Sequence, residues 1–451
     1  METDMTSGRP LPIILKFTLP LLIGNIFQQL YNMADTIIVG QFVGSDALAA
    51  VGSTGTIMFL VLGFATGMST GFTVLTSQKY GAKDYTATRI SVSNAITLSA
   101  ILVVLMTVIS LLGMKPLLGM MNTPDDIFEQ AYLYICIICA GTFASVYYNL
   151  FSAFLRAVGN SKMPLYILVF SACLNVALDL LFIVVFHLGV GGAAGATVVS
   201  QAISALLCLI YIYRKVPILS PRGTDWKFHR GFARHQLSIG LPMALQFGIT
   251  ASGTVIMQSA INIFGSTAVA AVTAASKVQG LVSQGMIAMG QTMASYAGQN
   301  YGKMDLKRIR EGVRGALITD LIYSLICAVI VIAFLPGTLG IFFSEGENIA
   351  EMLPYARIYV TQCAIFYVPL SVIFVFRNTM QGCGYGMLPM LGGVVELVAR
   401  LLCAALAIYL TNFHLAVGCD PFAWLCAGIY TGIAYLWVRK DIENKGFGRS
   451  A

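Results

Sequence analysis

Charge is what this chain has little of. Of its 451 residues only 10% are Asp, Glu, Lys or Arg, against about a quarter in a soluble domain. Too few charges remain to cover a water-facing surface, which excludes an ordinary soluble globule. Histidine is as scarce, with four residues and no HExxH-like spacing; His187 and His414 fall in loops. An intramembrane enzyme would need a nucleophile with its base or a metal triad, so catalysis is not expected, and neither are a cofactor or a resident metal. Nearly all of the ten cysteines lie in apolar runs, where a free thiol behaves as a small hydrophobe. No disulfide framework follows. Cys136 and Cys139 form a CxxC, but no His or acid stands beside them. The opening METDMTSGRP lacks the basic and short apolar regions of a cleavable signal peptide, so none is expected.

Apolar length is what the chain has. A spanning helix needs about 20 apolar residues. Twelve segments qualify: 13–40, 47–76, 89–113, 127–155, 164–187, 192–213, 236–263, 268–297, 313–335, 350–380, 389–411 and 420–438. The fold class expected is an all-α polytopic membrane protein with 12 transmembrane helices. Of the 27 Lys and Arg, only Lys115 lies in an outside loop, and Lys277, Arg357, Arg377 and Arg400 lie within segments. The others gather at the N-terminus, the C-terminus and alternate loops. Asp125, Asp126, Glu345 and Glu347 fall on the opposite side. By the positive-inside rule both termini are cytoplasmic, in a cytoplasmic (inner) membrane. This topology accounts for the net charge of +7, and no nucleic-acid partner is implied.

The longest hydrophilic stretch, 214–235, divides the chain into a first half (1–213) and a second half (236–451) of six segments each. The halves repeat. "TLPLLIGNIFQQ" (18–29) parallels "GLPMALQFGITA" (240–251), "VGSDALAAVGSTG" (43–55) parallels "FGSTAVAAVTAAS" (264–276), "QKYGAKD" (78–84) parallels "QNYGKMD" (299–305), and "FLRAVGNSKMP" (154–164) parallels "TMQGCGYGMLP" (379–389). Two lobes of equal topology related along the membrane normal are a transporter architecture, with substrate between the repeats.

Polar residues at depth are the candidate machinery. The first segment carries Asn25, Gln28, Gln29, Asn32, Asp35 and Thr36 at helical spacing. A carboxylate at the centre of a bilayer costs about 2.5–3.5 kcal/mol on insertion scales, so Asp35 needs a reason. The fifth segment supplies Ser171, Asn175 and Asp179 on one face, and the sixth supplies Thr197. Counted from the outer ends, Asp35, Asp179 and Thr197 fall near one level. Two carboxylates in one dry pocket cannot both ionise cheaply. With an amide and a hydroxyl they could trade a proton or hold Na⁺ through oxygen ligands. The second half has Ile256 or Met257 opposite Asp35, and Arg400 and Ala404 opposite Asn175 and Asp179. Its own candidates for substrate contact or a conformational latch are Glu396, Arg400, Gln258 and Met257, with Glu396 and Arg400 read as a self-paired i,i+4 couple. Asp320 is expected near the basic inner end, paired with Arg314 or a neighbour, and Lys277 to snorkel. Met286, Met289 and Met293 read first as gap-filling. Pro20, Pro242 and Pro369 each remove a helical hydrogen bond.

The two six-segment halves, the paired "GSDALAA"/"GSTAVAA" and "QKYGAKD"/"QNYGKMD" motifs and "LRAVGNSKMP" resemble a bacterial multidrug and toxic compound extrusion (MATE) transporter over the whole chain. The resemblance implies two pseudo-symmetric lobes in a V, alternating access, and efflux of organic cations or drugs against H⁺ or Na⁺. It implies a cation site at Asp35, Asn175, Asp179 and Thr197, supported by Tyr31, Asn32 and Gln28, with Pro20 as the hinge. Some members use a C-lobe acid on the seventh segment, which this sequence lacks. The partners implied are small amphiphilic or cationic substrates and the lipid bilayer, with a monomer as the unit. A flippase for a lipid-linked saccharide is the alternative; it would need a large cationic cavity.

Overall fold

The structure, a computed structural model, describes residues 4–121, 123–337 and 349–446. Glu345 and Glu347 lie outside the described residues. The chain is all-helical: α1 (Pro10–Phe42), α2 (Ser45–Gly81), α3 (Tyr85–Met120), α4 (Asp125–Ala140), α5 (Thr142–Ala157), α6 (Lys162–Leu180), α7 (Gly189–Lys215), α8 (Arg230–Asn262), α9 (Ser266–Gly302), α10 (Leu306–Ala333), α11 (Ile349–Ile365), α12 (Tyr367–Gly382), α13 (Met387–Leu410), α14 (Phe413–Val417) and α15 (Cys419–Asn444). Among the described residues, nine single helices and two bent pairs are long and apolar enough to cross a membrane. Helix α9 completes the twelve rods. It is rich in Ala, Gly, Ser and Gln, and packs against α10, α11 and α12. A helix enclosed by protein needs no apolar outer face.

The segments expected over 127–155 and 350–380 are each broken. Helices α4 and α5 meet at 46° around Gly141, and α11 and α12 at 48° around Phe366. The two breaks stand at equivalent positions of the repeat, with different causes. A Cβ on Gly141 would lie 2.2 Å from a methyl of Val198, so the missing side chain lets α7 approach. At the second break Pro369 has no N–H for the carbonyl of Ile365, and the helix restarts. The repeated Asp84 and Asp305 both cap helices: each Oδ1 accepts a backbone N–H at 3.0 Å, from Ala87 and Arg308. The residues before them, Lys83 and Met304, both take a left-handed turn (φ 59° and 62°). Repetition in sequence is thus repetition in backbone.

Packing divides the chain differently from its hydrophilic stretch. One compact unit holds Leu19–Phe247; the other holds Thr6–Thr18 with Gly248–Ala451. Both divisions fall inside helices, close to Pro20 of α1 and Pro242 of α8. In the second unit, Thr18 Oγ1 meets Thr292 Oγ1 at 2.8 Å, and Lys303 Nζ and Arg308 Nη1 donate to the carbonyls of Thr6 and Gly8 at 2.7 Å. In the first unit, Gln236 Nε2 donates to the carbonyls of Phe72 and Ser91. Gly67 and Gly71 of α2 lie against Ala244 and Gly240 of α8 at backbone distance.

The basic stretch 214–235 is no loose tether. Asp225 Oδ2 accepts from Arg89 Nε at 2.7 Å and from the Arg222 N–H at 3.0 Å, while its carbonyl accepts from Ser93 Oγ at 2.6 Å. Asn94 Oδ1 holds the His229 N–H. The Arg89 guanidinium, then the Arg222 amide, hold the Asp225 carboxyl below the usual carboxylate range. A group depressed in the folded state stabilises above its ordinary value, about 3.9, and that contribution is lost as pH falls through the folded one. The clamp is therefore expected to hold at neutral pH and to loosen only under strong acid. Trp226 fluorescence, read in a background lacking Trp424 and Trp437, should stay constant from neutral pH to about pH 5 and move below about pH 4. Arg89→Ala should speed tryptic cleavage within the stretch several-fold at neutral pH; unchanged cleavage would show that Asp225 does not hold it.

Candidate functional site

Within the first unit, α1, α6 and α7 bring four of the expected residues together. The carboxyl groups of Asp35 and Asp179 lie within electrostatic reach of one another. Ionised carboxylates only accept, so two acids this close could bond only by sharing a proton. Asn175 Nδ2 donates to Thr197 Oγ1 at 3.5 Å. Tyr31, one turn before Asp35, brings its phenol close to Thr197 and Ser200. Asn175 and Asp179 are 0% exposed. Ile38 and Val39, one turn beyond Asp35, pack in an apolar cluster with Ile183 just beyond α6 and with Val190 and Ala193 of α7. Immediately after Asp179 the helix widens into a π-helical turn over Leu181–Val185, a distortion frequent at functional sites. Among the described residues no Lys or Arg pairs with Asp35, and its Oδ1 is buried without a hydrogen-bond partner.

An all-oxygen pocket with two acids suits a proton or a hard cation. Among the described residues no group of three or more His, Cys, Asp or Glu could hold a metal ion.

The second unit builds a different cluster. Arg400 Nε of α13 donates to Asp420 Oδ1 of α15 at 2.7 Å. Arg400 Nη1 lies 3.5 Å from Glu396 Oε2, and Arg377 Nη1 of α12 lies 3.5 Å from Glu396 Oε1. Glu396 and Arg400 are buried. Two acids and two bases cancel, so this cluster holds charge at depth with little net field.

The MatE family model matches this chain twice, over residues 20–181 and 242–406. The chain belongs to the MatE family. Both matched stretches begin at the prolines of α1 and α8, and together they cover most of the sequence. Among known relatives, the probable multidrug resistance protein YpnP of Bacillus subtilis (strain 168) is 29% identical over 383 residues, 84% of each chain. The multidrug export protein MepA of Staphylococcus saprophyticus is 22% identical over 388 residues, covering 85% of this chain and 84% of that one. Among solved structures, an outward-facing multidrug resistance MATE family transporter superposes with a TM-score of 0.88 over 98% of both chains at 23% identity. This is the same fold: twelve helical rods in two pseudo-symmetric halves of a multi-pass membrane protein.

In this MatE chain several residues stand apart from where the spacing put them. Gln28 and Asn32 do not join the acids; they bond one another at 3.4 Å on an exposed face of α1. Asn32 and Asp35 are three residues apart, about 60° round the helix, enough to separate an outer stripe from a packed one. Met257 is buried among the apolar side chains of the second unit. Gln258 bonds Asn262 at 2.8 Å. Arg400 is not simply self-paired with Glu396; its shorter partner is Asp420. Asp320 is buried and forms no ion pair with Arg314 among the described residues. Six helical positions put the two about 120° apart round the helix. Lys277 is exposed. Met286, Met289 and Met293 are buried in the second unit and fill space. Sequence reasoning missed Ser200, Tyr134 and the Asp420 partnership. Ser200 follows Thr197 by three residues, so helical spacing could have found it. Tyr134 of α4, within electrostatic reach of both acids, had no such signal.

Proposed function

We propose that this chain is a secondary antiporter that exports amphiphilic or cationic drugs in exchange for H⁺ or Na⁺ by alternating access. It would act as a monomeric carrier, not an enzyme, in the cytoplasmic membrane with both termini inside. The observation that carries the reading is the approach of Asp35 to Asp179, with no Lys or Arg paired to Asp35 among the described residues, beside an apolar cluster. Gaining or losing a cation there changes a buried charge, and a buried charge is among the few local events costly enough to bias two conformations. Asn175 and Thr197 supply the neutral oxygens that a Na⁺ would need. The names of the multidrug relatives support drugs as the cargo. The saccharide-lipid flippase is not carried forward, because Arg377 and Arg400 both lie against acids instead of lining a cationic cavity.

Coupling is exclusive binding: cation and drug favour different states, and their differential affinity sets the exchange. In inverted vesicles with a pH gradient and no Na⁺, drug accumulation is expected at full rate if H⁺ is the coupling ion. Accumulation only when Na⁺ is present assigns Na⁺. Accumulation indifferent to both gradients would overturn the antiport itself.

A further inference from the structure

The repeat relates α6 to α13 by 225 residues, through Pro164 and Pro389, and α1 to α8 by 222, through Pro20 and Pro242. Asn175 of the candidate cation pocket therefore corresponds to Arg400, and Ser171 to Glu396. Tyr31 corresponds to Gly253. In the second unit these equivalents also meet. A Cβ on Gly253 would lie 2.6 Å from Arg400 Nη1 and 2.9 Å from its Cδ. The guanidinium thus fills the space that a side chain at this position of α8 would need. Asp420 on α15, the counterpart of α7, closes the far side through Arg400 Nε at 2.7 Å.

We propose that the second unit contains a copy of the cation pocket that is permanently filled by the guanidinium of Arg400. The ligand set is Asp420 and Glu396, and the resident cation is tethered to the chain. The two acids differ. Glu396 also faces Arg377, so it keeps a counter-charge without Arg400, while Asp420 pairs with Arg400 alone among the ion pairs of the described residues. Arg400 Nη1 is buried and makes no hydrogen bond. Its charge, not a full set of bonds, is what the pocket holds. A guanidinium does not lose its proton in proteins, so this pocket cannot be emptied by pH or by exchange with the medium. On the reading of Asp35 and Asp179 given above, ion switching is then confined to the first unit. The pocket itself is argued from Arg400 and stands independently of that reading.

Freed of its tether, the pocket should bind a small monovalent cation, and guanidinium is the probe that matches what was removed. Purified full-length Arg400→Ala is expected to melt roughly 10 °C below the parent at neutral pH, because a buried carboxylate is left uncompensated. Millimolar guanidinium should restore at least half of that loss, choline at equal ionic strength should not, and the parent should respond to neither. The double variant R400A/D420N removes both charges and leaves Glu396 with Arg377. It should fold and show no response to guanidinium. Three results overturn the proposal: R400A that guanidinium does not rescue, rescue of the double variant to the same degree, or R400A that cannot be recovered folded even when extracted in guanidinium while the double variant can. None of these readouts depends on transport, so failure of the Asp35 assignment would leave them unchanged.

Discussion

Asp35→Asn should lower gradient-driven drug efflux by roughly 10- to 100-fold, the range of a typical coupling free energy, while leaving a folded protein. Asparagine keeps the size of the side chain. What it loses is the ability to take up and release a proton or to neutralise a cation. Asp179→Asn should have a similar effect, because the two acids lie within electrostatic reach of one another. Tyr31→Phe should be milder, since it removes only a phenol hydroxyl close to Thr197 and Ser200. The measurement is uptake into proteoliposomes under an imposed gradient, with thermal melting of the same preparation as the folding control. An Asp35→Asn protein that melts like the parent and still confers full drug resistance in cells would remove this residue from the coupling site.

The second large effect is steric and belongs to the packing of α2 on α8 within the first unit. A Cβ on Gly71 would stand 2.3 Å from Gly240 Cα and 2.7 Å from its nitrogen, and one on Gly67 would stand 2.7 Å from Ala244 Cα. These neighbours are backbone atoms, which cannot rotate away as a side-chain tip can. Gly71→Ala should therefore force the helices apart and destabilise by about 3 kcal/mol, the upper end of overpacking costs, with Gly71→Val worse. Gly55 on the same helix has nothing within 4 Å of its Cβ direction. There Ala should be neutral or stabilise by about 0.5–1 kcal/mol through helix propensity. Melting of the two alanine variants side by side separates close approach from a general dislike of side chains in α2. Equal melting would show that α2 and α8 do not touch as closely as described. The same small-residue approach is what allows a polar, proline-containing helix such as α8 to pack without long apolar side chains.

How far the sequence could be read follows from the range over which each feature is encoded. Length and apolarity are local. A bilayer demands about 20 apolar residues per span, so the rods of both halves were legible in composition alone. Their repetition was legible because equivalent caps, such as Asp84 and Asp305, need the same residue for the same backbone turn. The acids were legible as anomalies, since a carboxylate in an apolar run is costly wherever it ends up. Their partners were not. Asp35 and Asp179 are 144 positions apart in sequence, and only the neighbouring courses of α1 and α6 bring them into electrostatic reach.

Periodicity identified a polar stripe on α1 but could not say which edge of it was packed. Gln28 and Asn32 proved to lie outside and Tyr31 inside, a matter of about 60–100° of rotation. For Arg400, the i,i+4 neighbour Glu396 was visible in the sequence. The closer partner, Asp420, lies across a helix interface. The breaks at Gly141 and Phe366 needed the structure as well, one because Val198 of another helix decides it, the other because a proline tolerated in many helices here ends one. By itself, then, the sequence determined the membrane class, the twelve apolar or enclosed rods, the two-fold repeat and the residues too costly to be idle. Only the tertiary structure decided which of those residues meet. Burial and charge cost are properties of a single position, whereas pairing depends on distances between helices that no local pattern contains.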